Sequence, residues 1–225
     1  MNRLILRASV VVALLIVSSS AFAAGINLAW SACAGEVNAL QNKNFACNVN
    51  TGANLLVCSF VLGADLAQAS GNEIVVDIYS GATALPAWWD LKNVGSCRQT
   101  AIGFNVTADV NNAVCLDWAQ GQSSGGIGAY STELGSIDPS LTGSHRRIKI
   151  ALAVPGTGLQ DLFAATDYFA CNISVNNTKT VGTGLCAGCS VPVCLILNSI
   201  KVTTPVPAND VTVGNAASPN SNIVT

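Results

Sequence analysis

The chain has 225 residues, of which 50% are hydrophobic and only 10% charged, and its formal net charge is −2. Ordinary soluble domains are roughly 25% charged, so solubility here must rest on Asn, Ser, Thr and Gly. The composition excludes a nucleic-acid-binding face, because the one basic run, His145-Arg146-Arg147-Ile148-Lys149, reads as the edge of a strand.

Residues 1–23 have the form of an export signal. Arg3 and Arg7 supply the positive start, Val10 to Val17 the apolar middle and Ala21-Phe22-Ala23 the small-residue cleavage motif. That apolar run is too short to span a membrane, and no other stretch reaches the roughly 18 residues a span needs. The mature protein is therefore expected to be residues 24–225, secreted or at the cell surface, with no transmembrane segment. Nine cysteines in an exported chain imply a disulfide framework of at least three bridges, with one thiol left free or paired to another chain.

In chain order, Ile26, Leu28, Trp30 and Ala32 alternate with Asn27, Ala29 and Ser31, which predicts a half-buried strand ending at Cys33. A polar loop follows to Cys47. Leu55 to Leu62 reads as a strand with Leu56, Cys58, Phe60 and Leu62 on one face. Glu73 to Tyr79 reads as another, with Ile74, Val76 and Ile78 together. The stretch Ala84 to Arg98 is rich in turn formers and carries Trp88 and Trp89. Ile102 to Ala108 alternates, and Ala113 to Trp118 is a short strand around Cys115. Ala119 to Gly143 is polar and glycine-rich without periodicity, which predicts a long loop. Ile148, Ile150, Leu152 and Val154 form one strand face; Phe169, Cys171, Ile173 and Val175 form another. Leu159 to Ala165 is the one place suited to a turn of helix.

The strongest apolar β-segment is Val191 to Val202. Both alternating sets are apolar from Val193 to Leu197, which predicts an interior strand covered on both faces. After Asn198 the alternation becomes strict, with Ile200 and Val202 on one face. Pro205 and Pro207 end the strand. The chain then runs weakly through Val211 and Val213 to Asn222-Ile223-Val224-Thr225. Those β-forming residues predict that the recorded chain is incomplete or that its end needs a partner strand. Eight or more short strands with turns between them, no internal repeat and no linker predict one all-β sandwich domain over residues 24–225. Its topology is either a jelly roll or immunoglobulin/cohesin-like.

Cys186, Cys189 and Cys194 have the spacing C-x2-C-x4-C just before that segment. A redox-active C-x-x-C wants a helix N-terminus, whereas Ser190, Val191, Pro192 and Val193 are β-formers. A zinc site wants four ligands, and the chain has a single histidine. Structural disulfides are the favoured reading, with thiol–disulfide chemistry a minor alternative. Two of these three cysteines are expected to bond together, leaving the third as the free thiol. Local pairs Cys33–Cys47 and Cys97–Cys115 are expected elsewhere, with Cys58–Cys171 meeting across the sandwich because both face the core.

Leu85 to Asp90 (LPAWWD), Gly95-Ser96-Cys97-Arg98 and the block CAGCSVPVC together resemble a group of uncharacterised secreted bacterial proteins. The alternation resembles cohesin-like and other extracellular sandwich modules at the level of fold, and fold alone implies no function.

Residues that carry chemistry are few. His145 stands alone in a Ser-His-Arg-Arg turn, and no nucleophile elbow, P-loop or zinc-protease motif occurs. Asp77, Asp90 and Asp117 neighbour aromatic residues, but nothing brings two carboxylates to a glycosidase separation. Asp109, Asn111 and Asn112 offer oxygen ligands without EF-hand spacing. No catalytic residue, metal or cofactor is therefore assigned, and an enzyme is disfavoured. Trp88, Trp89, Trp118 and Tyr130 could form an aromatic platform on which sugar rings stack; the competing role is core packing. The two functions left open are a non-catalytic extracellular or cell-surface module with a structural or adhesive role, and a carbohydrate-binding or carbohydrate-active protein using the Trp88/Trp89 region. A glycan or another surface protein is the expected partner.

Overall fold

The computed structural model describes residues 24–91, 95–107, 114–129 and 144–225, so the expected signal at 1–23 lies outside the described residues. The strands are β1 (Gly25–Trp30), β2 (Ala53–Val61), β3 (Leu66–Ala69), β4 (Gly71–Tyr79), β5 (Ile102–Asn105), β6 (Leu116–Asp117) and β7 (Ser124–Ala129). They continue as β8 (His145–Ala153), β9 (Gln160–Leu162), β10 (Asp167–Asn176), β11 (Cys194–Thr203), β12 (Val211–Val213) and β13 (Ile223–Val224). One sheet has the order β1-β2-β10-β5, with β6 added to β10; the other has β12-β11-β4-β8-β7, with β13 added to β11. A separate pair joins β3 to β9. Leu159 to Ala165 thus contributes a strand where a helical turn was expected. Among the described residues no helix is long and apolar enough to cross a membrane.

The alternation predicted for β1, β2, β4 and β8 is what builds the core. Ile26, Leu28, Trp30, Leu56, Cys58 and Phe60 from one sheet meet Ile74, Val76, Ile78, Ile148, Ile150 and Leu152 from the other in one buried cluster. Two β-bulges adjust the pattern. In β10 the register against β2 shifts between Phe169 and Cys171. A bulge inserts one residue and flips the faces beyond it. Cys171, Ile173 and Val175 therefore join the core, while Phe169 packs outside with Cys33, Val57 and Cys115. The expected common face of Phe169 and Cys171 is corrected accordingly.

The second bulge lies in β11, between Leu197 and Ser199 in its register with β4. Leu197 and Ile200 are three apart and would face opposite ways in a regular strand. With Asn198 absorbed by the bulge, Leu195, Leu197, Ile200 and Val202 all reach the core at 0% exposure. β11 is interior, between β4 on one side and β12 and β13 on the other. Its outer side chains Cys194 and Ile196 are only half-buried, so the expected cover on both faces is not found. The partner strand sought for the chain end is β11 itself, where Val224 pairs with Leu195 and Ile223 with Ile196.

The region read as a loop from Ala119 to Gly143 contains β7, which pairs with β8. Its glycines hid it from periodicity. At Gly125 a Cβ would collide with the main chain of Ala151 and Leu152, so the close approach of β7 to β8 requires glycine there.

The disulfides are Cys33–Cys115, Cys47–Cys189 and Cys97–Cys186, with Cα separations of 6.0, 5.7 and 5.9 Å. The expected local pairs Cys33–Cys47 and Cys97–Cys115 are replaced by bridges that span 82 to 142 residues. Cys186 and Cys189 each bond outside their own cluster, so the expected bridge within it is not formed. Cys58, Cys171 and Cys194 are free thiols. The expected Cys58–Cys171 bridge across the sandwich is not formed: both side chains face the core, but they stand opposite each other on neighbouring strands of one sheet, β2 and β10, as free thiols.

Candidate functional site

The three sequence motifs converge at one place. Pro86 starts a turn in which its carbonyl accepts from the N–H groups of Trp89 (2.9 Å) and Asp90 (3.0 Å), and Trp88 N–H donates to Ala187 O (2.9 Å) in the CAGC segment. Gly188 has φ +98° and packs on Pro86, where a side chain would collide with the proline ring. The Cys97–Cys186 bridge brings in Arg98. Its guanidinium lies 3.6 Å from the Trp88 ring and donates to the carbonyls of Trp88 (2.7 Å), Thr178 (3.0 Å) and Asn176. Burial lowers the Arg98 pKa to about 10, which leaves it charged at neutral pH.

Because Trp88 and Trp89 sit in a turn rather than an extended segment, their side chains do not point to opposite sides. Their rings meet edge-on at 4.8 Å, and Phe45 packs edge-on against Trp89, Trp30 and Trp88 at 5.0, 5.2 and 5.5 Å. Phe45 escaped the sequence reading inside its polar loop; the signal was an aromatic residue two positions before a cysteine. Trp88, Trp89 and Trp118 are at most 2% exposed, so they offer no open stacking platform; of the two roles the sequence left open, these three take core packing. Tyr130 lies outside the described residues, as do Asp109, Asn111 and Asn112.

A buried indole N–H needs an acceptor. Trp30 Nε1 donates to Thr225 O (3.0 Å) and Trp88 Nε1 to Thr180 Oγ1 (2.9 Å). Trp118 Nε1 donates to the Asn72 carboxamide oxygen at 3.0 Å, in the orientation that also satisfies the Asn72 nitrogen. Trp89 Nε1 has no acceptor. Trp89 also lines a groove of about 370 Å³, together with Phe45, the Cys47–Cys189 disulfide, Pro192 and Val193. Asn42, Lys43, Asn44 and Ser190 supply polar groups to the same lining. Lys43 Nζ hydrogen-bonds Ser31 Oγ at 3.1 Å, and burial lowers its pKa.

No family model matches the chain, and no curated protein matches it either.

The other residues considered for chemistry are otherwise engaged. Asp77 accepts two 2.9 Å hydrogen bonds from Arg147. Asp90 accepts one of 3.0 Å from Arg146. Asp117 caps its own turn, accepting from the main-chain N–H of Ala119 (3.0 Å) and Gly121 (2.8 Å). His145 opens β8, and its ring centroid lies 4.4 Å from that of Tyr79. Among the described residues no group of three or more His, Cys, Asp and Glu side chains is arranged to hold a metal ion.

Proposed function

We propose that the chain is an exported, non-catalytic extracellular or cell-surface module that binds a neutral carbohydrate in the groove beside Trp89. The observation that carries this reading is the one unpaired indole N–H among the four tryptophans, buried on a residue that lines a groove. A buried donor left without an acceptor costs about 1–3 kcal/mol, and a ligand hydroxyl recovers it. The carboxamides of Asn42 and Asn44 and the Ser190 hydroxyl suit hydroxyl groups, while Phe45, Pro192 and Val193 suit the apolar face of a sugar. The low charge of the chain favours a neutral ligand over an ionic one.

The test is calorimetric titration of the mature protein with a panel of neutral oligosaccharides, repeated on Trp89→Phe. That variant keeps the aromatic ring and loses the N–H. At least one oligosaccharide is expected to bind, with affinity falling about tenfold in Trp89→Phe, the worth of one good hydrogen bond. Unchanged affinity in Trp89→Phe, or no binding across the panel, would overturn the reading.

A further inference from the structure

We propose that a second cleft, beside Asn27, binds one residue of an extended segment of a partner polypeptide through that residue's main-chain N–H and C=O. Asn27 lies in the middle of β1, between Ile26 and Leu28, which face the core. Its side chain is therefore on the outer face of the sheet, opposite Ser59 of β2. Asn27 is only 2% exposed, yet neither its Nδ2 nor its Oδ1 has a hydrogen-bond partner. It lines a cleft of about 680 Å³ bounded by residues 34–42 and 218–225. The β1 main chain beside it is fully engaged: Ile26 N–H donates to Asn215 O (2.8 Å) and Leu28 N–H to Ser221 O (2.7 Å). The unmet groups are the carboxamide and, opposite it on β2, the Ser59 hydroxyl.

A carboxamide presents a donor and an acceptor side by side. A ligand that satisfies both must present an acceptor and a donor on one side, at matching spacing. A single trans peptide unit cannot, because its N–H and C=O point opposite ways. A residue in extended conformation can, since its own N–H and C=O point to the same side, as they do when antiparallel strands exchange both bonds. That is the main-chain mode by which extended peptides are recognised. Ala34, Gly35 and Ala39 give the cleft a small-residue lining that leaves room for the peptide's side chains. None of the described residues lining it is aromatic, so a sugar would have no ring to stack on. Among the described residues of the lining Glu36 carries the one charged side chain, which favours a neutral or basic segment.

The experiment follows the Asn27 side-chain NH₂ resonances of the ¹⁵N-labelled mature protein during titration with acetyl-(Thr-Val)₃-amide, a neutral β-forming peptide. Saturable shifts are expected, and the same peptide N-methylated at every residue should cause none. Asn27→Leu, which removes both unpaired atoms at similar volume, should weaken binding at least about tenfold without lowering the melting temperature. Absence of shifts at millimolar peptide, equal binding by Asn27→Leu, or shifts caused by neutral oligosaccharides but not by the peptide would each overturn the proposal. Trp89→Phe should leave the peptide titration unchanged, which separates this site from the groove beside Trp89.

Discussion

At the scale of single residues, unpaired polar atoms on the outer face of the first sheet carry most of the consequence. Asp167 opens β10 at 6% exposure, and neither carboxylate oxygen has a hydrogen-bond partner. Burial raises its pKa from 3.8 to about 7; the nearby Ser59 hydroxyl and the Tyr168 main chain oppose the shift without cancelling it. The folded protein thus keeps a proton on Asp167 that the unfolded chain releases. Stability from this group is fully present below about pH 4 and is lost as pH rises toward 7, because the folded state binds more protons across that window. At about 1.4 kcal/mol per pKa unit, the loss is on the order of a few kcal/mol. Asp167→Asn mimics the protonated form. Urea unfolding should show the wild type weakening between pH 4 and pH 7 and the variant holding level, so that the variant is the more stable at pH 8. Parallel pH profiles for the two proteins would contradict this account.

At the scale of elements, the two bulges decide which side chains meet. Without the shift at Phe169/Cys171 in β10, Cys171 would leave the core and lose its position opposite Cys58. The Cys58 thiol and burial push the Cys171 thiol well above its ordinary value. Thiolate is the form that reacts with alkylating agents, and both cysteines are at 0% exposure. Cys194, half-buried on the outer face of β11, is the accessible free thiol. Iodoacetamide at pH 8 should therefore give a single adduct on the native protein, at Cys194, with Cys58 and Cys171 reacting only after unfolding. Peptide mass spectrometry reads this directly, and early labelling of Cys171 would show that β10 is not packed as described.

At the scale of the whole molecule, long-range bridges hold loops that the sheets alone do not order. The Cys47–Cys189 bridge joins residues 142 apart and lines the groove beside Trp89. On the chain-entropy estimate, closing a loop of that length contributes about 5 kcal/mol, which is comparable to the whole stability of many domains. The variant Cys47→Ala/Cys189→Ala should lose stability of this order in denaturant unfolding. It should also weaken any ligand held beside Trp89, while sparing the peptide response of Asn27. A midpoint unchanged from wild type would mean that the knot of Phe45, Trp88 and Trp89 is self-sufficient.

The all-β class, the core faces of β1, β2, β4 and β8, and the presence of several disulfides were legible in the chain. Each rests on local information: a period of two puts alternate side chains on one face wherever the strand ends up, and an exported chain oxidises its cysteines. β7 was not legible, because its glycines carry no apolar signal and Gly125 is required only by the approach of β8. Nor was the cysteine pairing, since each partner lies 82 to 142 residues away and sequence spacing says nothing about distance in space. For the candidate site, the sequence pointed to Trp89 but not to its state. Whether an indole is a stacking platform, a core ring or an unpaired donor depends on what the fold packs around it. Phe45, the CAGC segment and the Cys47–Cys189 bridge come together only in the tertiary structure, and so do the segments 34–42 and 218–225 that bound the cleft beside Asn27.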